Sequence, residues 1–196
     1  MRKILTMAAA AITLLMTTTV FTACGGDDNE ETTPKQAEIK GLGAVYLIQV
    51  TEQMAGLCDY TMTYYGTDNR LTTEKATWTV KDGVATWEKT ATSTVIPATF
   101  GVKVSVRVKD GAQLDGIHIA NIYPVTKAIY LQGITTDAKM AWEKTVDLGA
   151  GVSTTTGTSG AKLPEYIEQW EKRGGVINKT YTFDKDGNQI STGNIE

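Results

Sequence analysis

Thr99-Phe100-Gly101-Val102-Lys103-Val104-Ser105-Val106-Arg107-Val108-Lys109 is the stretch that decides the fold class. Phe100, Val102, Val104, Val106 and Val108 fall on one side of an extended chain. Gly101, Lys103, Ser105, Arg107 and Lys109 fall on the other. Strict period-two alternation marks a half-buried strand, and β-branched valines suit its pleated surface.

Upstream of it lies a hairpin signal. Asp82-Gly83 fits a two-residue type I′ turn, in which both positions need φ > 0. With these two as the loop, Lys81 faces Val84, Val80 faces Ala85, Thr79 faces Thr86 and Trp78 faces Trp87. Ala76, Trp78, Val80, Ala85 and Trp87 then share an apolar face. The opposed Trp pair on it would add roughly 0.2–1 kcal/mol over an Ala pair. Further strands are expected at 44–50, 58–65, 117–123, 128–133 and 140–146, separated by the turn clusters Gly66-Thr67-Asp68-Asn69, Lys109-Asp110-Gly111 and Asp115-Gly116. Short strands at this spacing, all compatible with antiparallel pairing, point to an all-β sandwich rather than βαβ units.

One helix is expected, over 164–173. Pro164 fits its first turn, Glu165 and Glu168 favour the positive end, Lys172-Arg173 the negative end, and Gly174-Gly175 stop it. Tyr166, Ile167 and Trp170 would face the sheets, with Trp170 partly accessible at the helix boundary. A terminal hairpin over 180–191 turns at Asp184-Lys185-Asp186-Gly187-Asn188. The low-complexity run 149–160, rich in Gly, Ser and Thr, reads as a loop. It lacks the Gly-Lys-Ser/Thr ending of a phosphate-binding loop.

At the N-terminus, Arg2 and Lys3 precede an apolar stretch from Ile4 to Val20, and Phe21-Thr22-Ala23 lead into Cys24. A basic start, an apolar middle and a small-residue exit make a secretory signal. The large-small-small-Cys ending resembles the site cut by the lipoprotein signal peptidase, although Phe21 stands where Leu is usual. This predicts a signal peptide over 1–23 and a lipid on Cys24. At about 17 residues, thinned by threonines, the apolar run falls short of the roughly 20 that span a bilayer.

After Cys24, Gly25-Gly26-Asp27-Asp28-Asn29-Glu30-Glu31 opens an aperiodic acidic stretch over 24–40, expected to be a disordered tether. The acidic cluster is either a linker kept solvated by its charge or, by resemblance, the export signal that sends Bacteroidetes lipoproteins to the outer leaflet. Without Arg2 and Lys3, the 19 basic residues become 17 against 22 acidic ones, a net charge of −5. With no clustered Lys and Arg, nucleic acid is not an expected partner. The remaining 173 of 196 residues, 41–196 forming the folded part, suit one domain.

Little in the chain points to catalysis. With Cys24 lipidated, Cys58 has no disulfide partner. Alternation groups it with Tyr60, Met62 and Tyr64 as a small buried hydrophobe beside Asp59, the wrong charge for activating a thiol. The single histidine, His118, lies between Ile117 and Ile119 and reads as an exposed or edge residue. It leaves no second imidazole for zinc. Asp184-x-Asp186-Gly187-Asn188 places its Gly too early for a calcium loop and has Gly193 where the Glu ligand belongs, so a β-turn explains it. No metal and no cofactor is expected. Among the aromatics, Trp78 and Trp87 read as core, whereas Tyr65 alternates with Asp59, Thr61 and Thr63 and is the candidate contact residue for a ligand.

Trp87-Glu88-Lys89, then Pro97-Ala98-Thr99-Phe100-Gly101 running into the valine strand, with the anchor at Cys24, resemble the small Bacteroidetes surface lipoproteins that carry an immunoglobulin-like sandwich. The resemblance implies an immunoglobulin-like antiparallel β-sandwich held at the outer membrane by the lipid on Cys24, and it transfers no activity. The expected role is a non-catalytic module at the cell surface that binds a glycan or an envelope protein. The rivals are a structural accessory subunit of an outer-membrane complex and a glycan-processing enzyme. An accessory subunit should expose one large apolar patch. A glycan binder should have a groove with exposed rings and few charges, and an enzyme two carboxylates in a cleft with perturbed pKa values.

Overall fold

The structure, a computed structural model, describes residues 38–149 and 157–196. Cys24, the signal peptide, most of the tether and 150–156 of the low-complexity run lie outside the described residues. Along the chain come β1 (Ile39–Thr51), α1 (Glu52–Leu57), β2 (Cys58–Tyr65), β3 (Leu71–Lys75), β4 (Thr79–Lys81), β5 (Val84–Ser93) and β6 (Ala98–Val108). Then follow β7 (His118–Ile119), β8 (Thr126–Thr135), β9 (Met140–Asp147), β10 (Thr158–Ser159), α2 (Leu163–Lys172), β11 (Ile177–Phe183) and β12 (Gln189–Gly193). β1 therefore starts two residues inside the stretch expected to be tether.

Two five-stranded antiparallel sheets form a β-sandwich. One runs β4-β5-β1-β8-β9 and the other β12-β11-β6-β2-β3, while β7 and β10 pair on their own. Alternation does the sorting. In the second sheet Tyr60, Met62 and Tyr64 of β2 lie opposite Val106, Val104 and Val102 of β6, and all six are buried. In the first, Ile48 and Val50 of β1 lie opposite Trp87 and Ala85 of β5, again all buried. These inward faces meet in a single core.

The strand order bears on the immunoglobulin likeness. An immunoglobulin sandwich pairs strands A-B-E-D in one sheet and C-F-G, extended by C′, in the other. Here β1 to β6 follow the B, C, C′, D, E, F order, since β4-β5-β1 matches D-E-B and β3-β2-β6 matches C′-C-F. The place of A is taken by β8, which comes after F in the chain, and the place of G by β11. The β-sandwich thus shares the immunoglobulin strand order over β1 to β6 and departs from it at β8, with extra strands β9 and β12 at the edges.

The turn at Asp82-Gly83 has φ of 52° and 76°, and Thr79, Val80 and Lys81 pair with Thr86, Ala85 and Val84 in the expected register. The ladder stops there, so the expected Trp78–Trp87 pair does not form. Trp87 is 1 % exposed and packs against Tyr46 and Tyr64. Trp78 has left the strand and stands edge-on to Tyr60 at 5.2 Å, half-buried. Val80, expected on the apolar face, is 48 % exposed, because β4 is an edge strand with no layer above its end.

Three other expectations change. Only His118–Ile119 of the stretch 117–123 is a strand. Asp115-Gly116 precede it, Gly116 has a φ of 73°, and the Asn121 side chain accepts a hydrogen bond from the Tyr123 amide. A second helix, α1, appears, six residues long and too short to show periodicity. Thr51 caps it by accepting from the Met54 amide, and Met54 and Ala55 are buried beneath it. Trp170 is 5 % exposed rather than partly accessible, because Tyr123 from the β7–β8 connection covers it at 5.3 Å between rings.

The helix α2 completes an open edge of β6. β11 pairs with β6 only as far as Val104, and beyond it the Val106 amide donates to Glu171 of α2 at 2.9 Å. The Gly175 amide closes the helix by donating to the Trp170 carbonyl, with φ at +121° and a Cβ position only 2.6 Å from the Val104 oxygen, which leaves room for glycine alone. Trp142 of β9 packs on Gly133 of β8 and on Gly187 in the β11–β12 turn, where added Cβ atoms would meet its ring at 2.4 and 2.3 Å. Lys144 lies over that ring and donates to the Asp186 and Gly187 carbonyls, tying the first sheet to the turn of the second.

Candidate functional site

Alternation places Asp59, Thr61, Thr63 and Tyr65 on the outer face of β2, where all four are half-buried. Tyr65 contributes a structural contact as well, since its carbonyl accepts the Tyr46 hydroxyl at 2.6 Å. That hydroxyl in turn accepts the Gly101 amide at 3.1 Å, so Tyr46 of β1 stitches one sheet to β2 and β6 of the other. Across the ladder Tyr65 faces Leu71 of β3, which is exposed.

Next to Tyr46 is a polar knot on the β3 side. Glu74 accepts the Trp87 indole N–H at 2.9 Å and pairs with Lys89 at 3.0 Å. Partial burial acts to raise the Glu74 pKa, but the bonds from Trp87 and Lys89 and the Lys89 charge prevail, and it titrates below its ordinary 4.5. Asp137 is also depressed, from 3.8 to about 2, chiefly by Lys139 and Thr135. Asp184 is lowered by its bonds from Asn188. A carboxylate depressed in the folded state adds stability above its unfolded pKa and loses that stability as pH falls through the folded value. Melting temperature is therefore expected to hold down to pH 4.5 and to drop between there and about pH 2. The acid limb should be shallower in Glu74→Gln. Thermal melts across that range check it, and a Glu74→Gln profile as steep as the parent's would contradict it.

One recess lies at the α1 end of the sandwich, a cavity of about 100 Å³ lined by Ala55, Cys58, Asp59, Tyr60, Lys75, Ala76, Trp78 and Lys109; a wider hollow of about 260 Å³ lies along β8 and β9, beside Val125, Lys127 and Asp147. Four chain segments meet at the α1 recess. α1 leads directly into β2, which brings Cys58, Asp59 and Tyr60. The Ala76 amide, just past β3, donates to the Tyr60 carbonyl at 2.8 Å, which holds the stretch from Lys75 to Trp78 beside β2. Lys109, one residue beyond β6, folds back so that its ammonium donates to the Ala55 and Gly56 carbonyls at 2.7 and 3.0 Å. A cation at the negative end of α1 is favourable.

The charges in the lining are unequal. Asp59 is already paired with Arg107 at 2.9 Å. Lys75 is exposed and has no ion-pair partner among the described residues. The Tyr60 hydroxyl is buried without any hydrogen-bond partner, the one such side-chain atom among the described residues. Leaving such a group unsatisfied costs roughly 1–3 kcal/mol. Burial, and secondarily Cys58, push its pKa well above the ordinary tyrosine value, so it stays a neutral donor.

Cys58 lines this recess but is unsuited to nucleophilic work. Burial raises its pKa to about 12, against a smaller lowering by Lys109, and the thiol remains protonated near neutral pH. His118 is exposed, as expected, beside buried Ile119. Asp184 accepts from the Asp186 and Asn188 amides and from the Asn188 side chain, the pattern of a turn that occupies its own carboxylate. Among the described residues no three His, Cys, Asp or Glu side chains converge on a possible metal position, and no helix is long and apolar enough to cross a membrane.

No protein-family model, characterised protein or solved structure matches the chain.

Proposed function

We propose that this chain is a lipoprotein anchored through Cys24 at the outer face of the outer membrane, where its sandwich domain acts as a non-catalytic binding module for a glycan or an envelope protein. The observation that carries the binding role is the recess between α1, β2 and the β3–β4 connection. A half-exposed indole and two lysines border one small concavity. Polar groups converging on a concave surface are the usual makings of a ligand site. The accessory-subunit reading draws less support. The chain's exposed apolar residues are Leu71, Val80, Met140 and Ile190 on the four edge strands and Val95, Ile96 and Val125 in connections.

Two experiments test the proposal. Cys24→Ala should leave an uncleaved or soluble form. Recovery of that variant in the outer-membrane fraction as a processed, lipid-labelled protein would refute the anchor. An array of glycans and envelope proteins probed with the full chain should give ligands whose binding falls in Trp78→Ala and is kept in Tyr65→Ala. The opposite pattern would move the site to Tyr65.

A further inference from the structure

We propose that the end of the sandwich at which the chain enters β1 rests on the lipid bilayer, with the β5–β6 connection set into its interface. The proposal rests on the Cys24 anchor proposed above and names the surface that the anchored domain turns to the membrane.

Register identifies what lies at that end. Met140 of β9 pairs with Ile134 of β8, Ile134 with Gly41 of β1, and the next residue, Leu42, with Ser93 of β5. The start of β1, the β8–β9 turn and the β5–β6 connection therefore stand at one level. The second sheet closes on it, because Asp68 of the β2–β3 turn accepts the Thr94 amide at 2.9 Å and Asn69 accepts the Thr99 amide at 2.8 Å. The β11–β12 turn is at the same end, since Gln189 pairs with Phe183 and Phe183 with Ala98. Leu71, Val95, Ile96, Met140 and Ile190, all exposed, belong to these connections or to the strand residues beside them. Exposed Val80 and Val125 belong to the opposite end. Val80 pairs with Ala85, which pairs with Val50, and the Val125 amide donates to the Gln49 carbonyl.

The β5–β6 connection can leave water at little cost. The Val95 amide donates to the Ser93 hydroxyl at 3.2 Å, and the Val95 carbonyl accepts from that hydroxyl at 2.9 Å. Pro97 has no amide, and its carbonyl accepts from Asn69 at 3.3 Å. Unpartnered backbone groups are what bar irregular chain from a bilayer, and Val95 has both of its own satisfied while its side chain stands exposed. Charge does not draw this end to anionic lipid. Asp137 pairs with Lys139 and Lys185 with Asp186, and the remaining acids there, Glu38, Asp68 and Asp184, outnumber Lys40 and Arg70. Apolar contact is the force left to hold it.

The anchor makes weak contacts sufficient. Cys24 lies 14 residues before Glu38, a reach of at most about 50 Å, so the domain meets the bilayer at a high effective concentration. Cys58 pairs with Val108 at the far end of β6. The 11 residues of that strand, at about 3.3 Å each, hold the α1 recess roughly 30 Å from the membrane, on the side turned to the medium.

The test uses the mature lipidated chain in phosphatidylcholine vesicles whose acyl chains carry a quenching nitroxide. A fluorophore is attached in Val95→Cys or in Val80→Cys, and native Cys58, being buried, stays unlabelled. The label at position 95 should be quenched and the label at position 80 spared, at low and at raised salt alike. Ile96→Asp and Leu71→Asp should each release the position 95 label from quenching, while the intact mass still shows the lipid on Cys24. No quenching at position 95, equal quenching at both positions, or quenching lost in salt would each overturn the docking and leave the anchor standing. A position 95 label shielded from water yet unquenched would give this end to a second copy of the chain instead. A mature chain whose mass shows no lipid would refute the anchor, and the docking with it.

Discussion

Trp87→Ala is expected to lower stability by about 3–5 kcal/mol, against a total that for such domains is roughly 5–15 kcal/mol. The side chain is 1 % exposed, the largest of the fully buried ones. Tyr64 meets it edge-on at 5.4 Å and Tyr46 tilts towards it at 6.4 Å. Truncation also strips Glu74 of its 2.9 Å indole donor and loosens the carboxylate from the β5 side of the knot. Urea unfolding monitored by circular dichroism measures the loss, and a cost under 1 kcal/mol would mean that the ring is not in the core. Trp78→Ala should cost clearly less, because that ring is only half-buried. Acrylamide quenching of single-Trp variants sorts the four indoles. Trp87 and Trp170 should be shielded, while Trp78 and Trp142 should be reached. The pattern matters for function, since a ring locked between the sheets cannot stack on a sugar and one at the lip of the recess can.

Strand positions were legible in the sequence wherever one face is buried and the other wet, because alternation then reports the environment directly. Cys58–Tyr65 and the valine strand are the clear cases, and Asp82-Gly83 identified its own turn through the backbone angles it needs. Errors arose where tertiary neighbours decide. Trp78 and Trp87 satisfy the same local pattern, and the ladder's end at Thr79 separates their fates. Trp170 looked accessible because the residue that covers it, Tyr123, is 47 positions away in the chain. The recess is built the same way: in sequence Lys109 reads as the last polar residue of a strand, Trp78 as core and Cys58 as filler, and the return of Lys109 to the end of α1 and of the β3–β4 connection to β2 brings them together. The polar neighbours of Tyr65 along its strand do lie on its face, and Leu71 of β3 pairs with it across the ladder.

The register of the second sheet yields the other large effect. Val104→Asp should cost about 3–5 kcal/mol, the penalty of an uncompensated buried charge, whereas Lys103→Asp should cost well under about 1 kcal/mol. The two residues are adjacent on β6 and differ only in the face they occupy. Val104 is 0 % exposed, between Met62 of β2 and Ile177 of β11. Its carbonyl also accepts the Val176 amide at 2.9 Å, so the backbone there has little freedom to carry a carboxylate to water. Lys103 lies between Thr63 and Asn178, half-buried on the outer face, and a carboxylate at that position keeps contact with solvent. Because a one-residue slip exchanges the faces of a strand, the pair of variants reads the register itself. Equal losses in urea unfolding would mean that β6 is not held in the register that places its valines inward, and the packing of β2, β11 and α2 on it would fall with that assignment.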